Sequence, residues 1–323
     1  MSRAPLGLVS ALLCLTLSGC AGLAASTDDG PPPSPRRVAS HAEVAEPTPT
    51  PTPLGIEDLV GEDGRLTVLI LGSDLRKGIV GERTDAIIVA SLDPASGKVG
   101  LVSLPRDTVN VPIAPGKTYA GRINSLFFDH LGSKRKKEPA LRKFRDALAY
   151  AFDVEIDYYA MVDFGGLVRL INSIGGIRMK LDEAVVDPTM HIGKNGLRLK
   201  KGQRRLDGRS TLAFSRSRHS DSDYGRSKRQ HKVLVAAGEK VRSRGLDRLS
   251  SLVAVAGKKI ITDLPLEAAP ALLELAGRAR LSSAKSMVLA PSRWARPGPL
   301  VYTIVPRVTE VRKMFARVFK PVR

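Results

Sequence analysis

Cysteine is nearly absent: the 323-residue chain has two, Cys14 and Cys20, and no thiol beyond position 20. A disulfide-stapled scaffold and a cysteine zinc cage are thereby excluded, and a folded domain must hold through its core alone. Long apolar runs are missing too. The almost uninterrupted stretch from Leu6 to Leu17 falls short of the ~20 apolar residues that a membrane-spanning helix needs. Aromatic residues make up 5% of the chain, and no nucleic-acid-reading motif is present, which together argue against a nucleic-acid partner. Acidic charge is scarce, with 32 Asp and Glu against 51 Lys and Arg, a formal net charge of +19. What is present, 43% hydrophobic and 26% charged residues, excludes a wholly disordered or collagen-like chain. The positive balance points to anionic partners, whether phosphates or acidic polymer.

The N-terminus reads as an export signal: Arg3, a short apolar core, then Leu17-Ser18-Gly19-Cys20. That tetrapeptide looks like a bacterial lipobox, in which Cys20 is lipidated and becomes the mature N-terminus. The alternative is an ordinary signal cleaved near Ala24 to Ser26, with Cys20 incidental. Residues 21–55 read as a tether, because Pro31-Pro32-Pro33 and the Pro47-Thr48-Pro49-Thr50-Pro51-Thr52-Pro53 run favour an extended spacer. Setting aside Arg3, Arg36, Arg37 and the four acidic residues of this region leaves 48 basic and 28 acidic residues. The positive charge therefore belongs to the region 56–323, which shows no dividing linker and is read as one domain.

Within it, Thr67–Leu71, Ala86–Leu92 and Val99–Leu104 are short apolar runs of the kind buried on both faces of a sheet. Asp93-Pro94-Ala95-Ser96-Gly97 reads as a hairpin loop between the last two. Helical spacing predicts helices over 139–152, 164–174, 207–214 and 225–244, then 246–259, 266–278 and a final C-terminal helix. Strands are expected at 158–162 and 177–181, near Met287, and at 301–305. Strands interleaved with helices argue for a layered α/β fold.

Polar residues gather at the ends of these strands, where α/β folds place their sites. Asp74 follows the first strand, Arg83-Thr84-Asp85 precedes the second, and Pro105-Arg106-Asp107 follows the third. If the strands are neighbours, Asp74, Asp85, Arg83 and Arg106 converge. Carboxylates without histidine or thiol partners suit a hard cation such as Mg²⁺, completed by phosphate oxygens. A second cluster comprises Arg216, Arg218, Asp223, Arg226, Arg229 and Gln230. Arg216 and Arg218 share a side if the chain is extended, and Arg226, Arg229 and Gln230 share a helix face. Guanidinium forks match phosphate bidentately, and several of them together repel unless an anion resolves the repulsion. Taken singly, each of these side chains is equally accounted for by a loop salt bridge, a cap or a solvated helix face.

In order along the chain stand Leu69-Ile70-Leu71-Gly72-Ser73-Asp74, Arg83-Thr84-Asp85, Ser103-Leu104-Pro105-Arg106-Asp107-Thr108, Arg122-Ile123-Asn124, Asp157-Tyr158-Tyr159, Val162-Asp163-Phe164 and Ile174-Gly175-Gly176. Leu206-Asp207-Gly208, Arg216-Ser217-Arg218, Asp223-Tyr224-Gly225-Arg226 and Arg229-Gln230 complete the series. This succession, from about 66 to 235, resembles the LytR-CpsA-Psr family of cell-wall glycopolymer ligases; residues 246–323 carry no matching motif and would complete the fold.

The resemblance implies a single α-β-α sandwich with a mixed central sheet. It also implies a polyprenyl (pyro)phosphate lipid, a Mg²⁺ (or Mn²⁺) cofactor, and transfer of a phosphate-linked glycopolymer from that carrier to peptidoglycan. Asp74 and Asp85 would hold the metal. Arg83, Arg106, Arg216, Arg218, Arg226, Arg229 and Gln230 would grip phosphates, with Arg83, Arg106, Asp107 and Asp223 as the catalytic candidates, Asp107 as a conceivable base and Asp223 in an orienting role. Three departures from the family pattern stand out: a lipobox replaces the usual N-terminal membrane helix, the loop 78–82 before Arg83 differs, and Phe127-Phe128 stands where Ala-Tyr is frequent, with a consequence for the lining of the lipid site. The expected location is the extracytoplasmic face of a bacterial membrane, held by the lipid on Cys20. Two other functions fit the same residues: a non-catalytic lipoprotein that binds anionic wall polymer, and a polyprenyl pyrophosphatase.

Overall fold

A computed structural model describes residues 54–74, 82–133, 135–190, 192, 194–218, 223–243 and 260–319. The export signal with Cys20, nearly all of the tether and the helix expected over 246–259 lie outside these residues. In chain order the elements are β1 (Leu66–Ser73), β2 (Thr84–Leu92), β3 (Val99–Ser103), a hairpin of β4 (Val111–Ala114) and β5 (Lys117–Tyr119), α1 (Ile123–Leu131), α2 (Lys137–Phe152), β6 (Tyr158–Asp163) and α3 (Phe164–Ser173). Then come β7 (Ile177–Leu181), β8 (Val185–Asp187), β9 (Leu197–Leu199), β10 (Gly202–Leu206), α4 (Gly208–Arg216) and α5 (Asp223–Arg242). The chain closes with β11 (Ile260–Thr262), α6 (Ala269–Arg278), β12 (Lys285–Val288), β13 (Ala295–Pro297), β14 (Ile304–Pro306) and α7 (Val308–Phe319).

Six strands form the central sheet, in the order β11-β6-β1-β2-β3-β12. The sheet is mixed: β1 pairs antiparallel with β2 and parallel with β6, while β3 pairs antiparallel with β2 and parallel with β12. The turn from β2 to β3 is built by Asp93, whose carboxylate accepts from the Ala95 and Ser96 amides at 3.0 and 3.2 Å, and by Gly97 at φ +67°.

Alternation along β1 and β2 divides their side chains between two layers. On one face Leu69, Leu71, Ile87, Val89 and Val102 pack against α1, α2 and α7, where the Phe152 and Phe315 rings stack with centroids 5.5 Å apart. On the other face Val68, Ile70, Ile88 and Ala90 look towards α3, α4 and α5 across a cavity of about 700 Å³. Both faces are covered, which is why these strands read as continuous apolar runs. Helices α3 and α4 start where Asp163 and Asp207 cap them, accepting from the Gly166 amide at 2.6 Å and the Ser210 amide at 2.7 Å.

The expected α-β-α sandwich with its mixed sheet is thus present. Most of the expected helix and strand boundaries lie within two residues of those observed. The strands β4, β5, β8, β9, β10, β11 and β13 and the nine-residue helix α1 had no counterpart in the sequence reading. The strands are runs of three to five residues, several with charged side chains inside them, too short to display a period.

Candidate functional site

The cavity has an apolar body and a charged mouth. Its body is the even-numbered face of β1 and β2 opposed by Leu167, Leu170, Leu212, Val233 and Leu234; at its mouth stand Asp85, Arg106, Arg216, Arg218, Arg226 and Gln230.

Asp85 reaches the mouth through a bulge. The β1–β2 register pairs Gly72 with Ala86 and Ser73 with Thr84, so Asp85 is an extra residue, displaced onto the cavity side next to Ala86. Its two oxygens are already oriented: Asn124 Nδ2 donates to Oδ1 at 3.2 Å and Arg106 Nη1 lies 3.0 Å from Oδ2. Asp74 lies across the strand end from Arg83: its amide donates to the Arg83 carbonyl at 3.0 Å, and its carboxylate accepts from the Arg83 amide at 2.9 Å. Asp74 lines neither the cavity nor the cleft described below, and lies across from the residue two positions before Asp85.

Arg106 stands at the divide between two spaces. It lines the large cavity and also a polar cleft of about 370 Å³ together with Arg83, Asp107, Arg122 and Asn124. Burial by itself would weaken its proton, but Asp85, Asp107 and Asp223 outweigh that and raise its pKa. The Asp107 carboxylate is buried between guanidiniums, with Arg106 Nε 3.3 Å from Oδ2 and Arg122 Nη1 2.8 Å from Oδ1. The second of these is an ion pair without hydrogen-bond alignment. Enclosed in this way, Asp107 positions two arginines, and a role as the free general base is not supported.

From the opposite layer, α4 ends at Arg216, whose guanidinium lies over the Phe164 ring at 4.4 Å. The two arginines flanking Ser217 both line the cavity, yet not through extended chain: the first ends a helix and the second follows its cap. The Arg218 amide is held by Asp187 Oδ2 at 3.2 Å, and its Nη2 lies 3.0 Å from Asp223 Oδ1. Asp187 is a residue that sequence reading missed. Burial opposes its ionisation, but hydrogen bonds from Thr189 and the Arg218 amide keep its pKa down at about 2.

Arg226, on the first turn of α5, is 4% exposed. Its Nη2 donates to the Asp85 carbonyl at 3.4 Å and its Nη1 is 3.5 Å from Asp223 Oδ1, while its Nε finds no partner among the described residues. Burial first, then the neighbouring Arg218 and Arg106, push its pKa down to about 10. A guanidinium so enclosed and only partly matched is a socket for an anion.

Arg229 departs from expectation. It is buried and points away from the cavity: Nε donates to the Phe214 carbonyl at 3.0 Å, Nη2 to the Ser217 carbonyl, and the guanidinium lies near the Phe214 ring. These bonds fasten α5 to the end of α4, and Arg229 does not line the cavity. His231, also missed, does the same on another side. Its ring nitrogens are hydrogen-bonded to Ser103 Oγ on β3 at 2.6 Å and to Ser286 Oγ on β12, and burial lowers its pKa to about 4. No spacing rule marks these two residues, because their partners lie far away in sequence.

Among the described residues no three His, Cys, Asp or Glu side chains gather as a metal cage. The donor at the cavity mouth is Asp85; Asp74, expected beside it, lines neither space because its carboxylate is turned to the Arg83 amide. A single carboxylate facing arginines fits Mg²⁺, which keeps waters and phosphate oxygens in its shell.

Residues 36–290 match the model of the LytR_cpsA_psr family. A polyisoprenyl-teichoic acid–peptidoglycan teichoic acid transferase, TagU of Oceanobacillus iheyensis, is 29% identical over 68% of this chain and 65% of its own length. The regulatory protein MsrR of Staphylococcus aureus is 31% identical over 64% of this chain and 58% of its own. The chain thus spans about half to two thirds of the length of the curated relatives it matches. Among solved structures, TagV of Bacillus subtilis superposes with a TM-score of 0.63 at 24% identity, covering 81% of this chain and all of that one. A TagT structure bound to LIIa-WTA gives 0.59 at 22%, covering 81% of this chain and 94% of that one. A LytR-Csp2A-Psr enzyme from Actinomyces oris gives 0.57 at 23%, covering 78% and 89%. These likenesses support the fold, and with the family model spanning most of the sequence the chain belongs to the LytR-CpsA-Psr family.

Proposed function

We propose that the protein transfers a phosphate-linked glycopolymer from a polyprenyl (pyro)phosphate carrier to peptidoglycan. One observation carries this reading: a single cavity joins an apolar interior to a mouth with four arginines. Only an amphiphile satisfies both halves, an apolar chain within and an anionic head at Arg106, Arg216, Arg218 and Arg226. A binder of wall polymer alone has no use for the apolar half. The substrate of TagU, as its name states, is of the same kind.

In this reading a hydroxyl of the acceptor glycan attacks the phosphorus next to the polymer. The new oxygen–phosphorus bond forms, the bridging bond to the carrier breaks, polyprenyl phosphate leaves, and the hydroxyl proton passes to solvent or to a base. Arg226 and Arg218 face the departing phosphate, Asp223 orients both, and Arg106 is shared between carrier cavity and cleft, where the acceptor enters. The polar cleft with Arg83 and Arg122 suits a hydroxylated, charged acceptor. Mg²⁺ held by Asp85 would supply charge neutralisation at the diphosphate. Preorganised positive charge is the main catalytic resource here, and removing one such donor typically costs ~10²–10³ in kcat. The anchoring lipid on Cys20, the tether through residue 55 and an extracytoplasmic location belong to the same reading; among the described residues no helix is long and apolar enough to cross a membrane.

The test is a reconstituted reaction with polymer-loaded lipid, glycan acceptor and divalent metal. Transfer should vanish in Asp85→Ala and Arg106→Ala and on chelation. Full activity in either variant would overturn the assignment, and release of polymer phosphate to water alone would mark a pyrophosphatase.

A further inference from the structure

The hairpin of β13 and β14 carries a tip that the site does not use. Leu300, Val301 and Tyr302 are 61%, 74% and 88% exposed, three consecutive apolar side chains in solvent. They are not a frayed loop. Thr303, itself buried, receives the Leu300 amide on its Oγ1 at 3.1 Å and donates Oγ1–H to the Leu300 carbonyl at 2.6 Å; its own amide donates to the same carbonyl at 3.0 Å. The Gly298 amide donates to the Thr303 carbonyl at 2.8 Å, and a side chain at 298 would collide with Thr303 Oγ1. Tyr302 sits at φ +62°, a left-handed conformation unfavourable for a bulky residue. The backbone is therefore bent, with strain, into a turn braced by Leu300 and Thr303 that presents apolar groups outwards.

The stem is basic. Arg293, stacked over the Trp294 ring at 4.5 Å, Arg296 on β13, Arg307 and Lys313 are all exposed, against the single carboxylate of Glu310. The base is fixed: Trp294, Ala295 and Ile304 are buried, the Ile304 amide donates to the Asp107 carbonyl at 3.2 Å, and the Val109 amide to the Ile304 carbonyl at 2.8 Å. The hairpin thus hangs on the segment directly after Arg106.

We propose that Leu300, Val301 and Tyr302 insert into the interfacial region of an anionic bilayer while Arg293, Arg296 and Arg307 lie against its headgroups. Apolar tip, tyrosine at the water boundary and positive stem form the pattern that such a surface selects. Because the stem is joined to Asp107–Val109, insertion sets the cleft at a lipid surface, where a lipid-linked substrate is met. The inference stands on the hairpin and not on the transfer reaction, and is tested without turnover.

The scarcity of cysteine makes the experiment clean. In the full chain with Cys14→Ser and Cys20→Ser, an environment-sensitive fluorophore is placed on Tyr302→Cys or, as a control, on the exposed Glu183→Cys. Added vesicles are equal parts phosphatidylglycerol and phosphatidylcholine, or phosphatidylcholine alone. The expected result is a blue shift and a several-fold intensity gain at 302 on anionic vesicles, quenched by doxyl-labelled lipid, with no change at 183. Reversal of Arg296 and Arg307 to Glu should weaken vesicle binding, read at 302, by about tenfold or more. A 302 probe unmoved by anionic vesicles overturns the proposal. So does a probe that shifts with protein concentration alone, which would seat a second copy on the tip, or one blue-shifted at every dilution, which would seat another segment of this chain there.

Discussion

The two faces of one sheet have opposite tasks. Towards α1, α2 and α7 the strands present Leu69, Leu71, Ile87 and Val89 into a layer closed by Phe127, Phe144, Phe152 and Phe315, all nearly or fully buried. Towards α3, α4 and α5 the same strands present Val68, Ile70, Gly72, Ala86, Ile88 and Ala90 to an open volume of about 700 Å³. The closed face stabilises the fold. The other face leaves apolar surface unfilled and surrounds its rim with guanidiniums that repel one another. Stability is withheld there in favour of a ligand, which is where local conflicts in a native protein are expected.

The comparison is broken most sharply at Arg226. Arg226→Met should lower transfer by ~10²–10³ while leaving thermal stability level or improved, because removing a buried, incompletely matched charge relieves desolvation. Initial rates and melting curves on the same preparation check both halves. Loss of fold would show that Arg226 serves the core.

Next is an exchange of sizes across the sheet. Phe315→Ala, on the closed face, should cost ~3–5 kcal/mol in denaturant unfolding. Ala90→Phe, on the cavity face, should cost far less and instead block retention of a fluorescent polyprenyl phosphate. Equal destabilisation by the two changes would mean that the faces are packed alike.

A smaller effect concerns the pin between α5 and the sheet. His231 is neutral in the fold with a pKa near 4, against an ordinary value of 6.5. Above pH 6.5 neither state is protonated there; as pH falls from 6.5 towards 4 the unfolded chain takes up the proton and the folded chain does not, so stability declines across that window. The loss approaches roughly 3 kcal/mol at the acid end by linkage. Melting curves from pH 7 to 4 should show it, and His231→Asn should flatten the slope.

Much of the site was legible before the fold was known, because strand-end motifs mark where loops meet a sheet edge. Asp85, Arg106, Arg218 and Arg226 do meet at one cavity mouth. The assignment of Arg229 was not legible. A helix turns by about 100° per residue, so Arg229 and Gln230 flank Arg226 on either side, and both count as one face. Which flank meets the cavity and which meets α4 is set by the neighbour, and α4 meets Arg229 through the Phe214 carbonyl. The link from Asp187 to the Arg218 amide and those from His231 to Ser103 and Ser286 escaped for the same reason, since these partners are 31 residues or more away.

By itself the sequence determined that the first strands are apolar on both sides, that the domain lacks thiols and carries excess positive charge, and that its phosphate-type residues fall at element ends. These follow from residue type and local period. The tertiary structure decided that one sheet face is filled and the other hollow, that a bulge turns Asp85 inward, and that Asp107 and Arg229 are consumed by internal partners. Such outcomes depend on which surfaces meet across layers, and local spacing does not encode that.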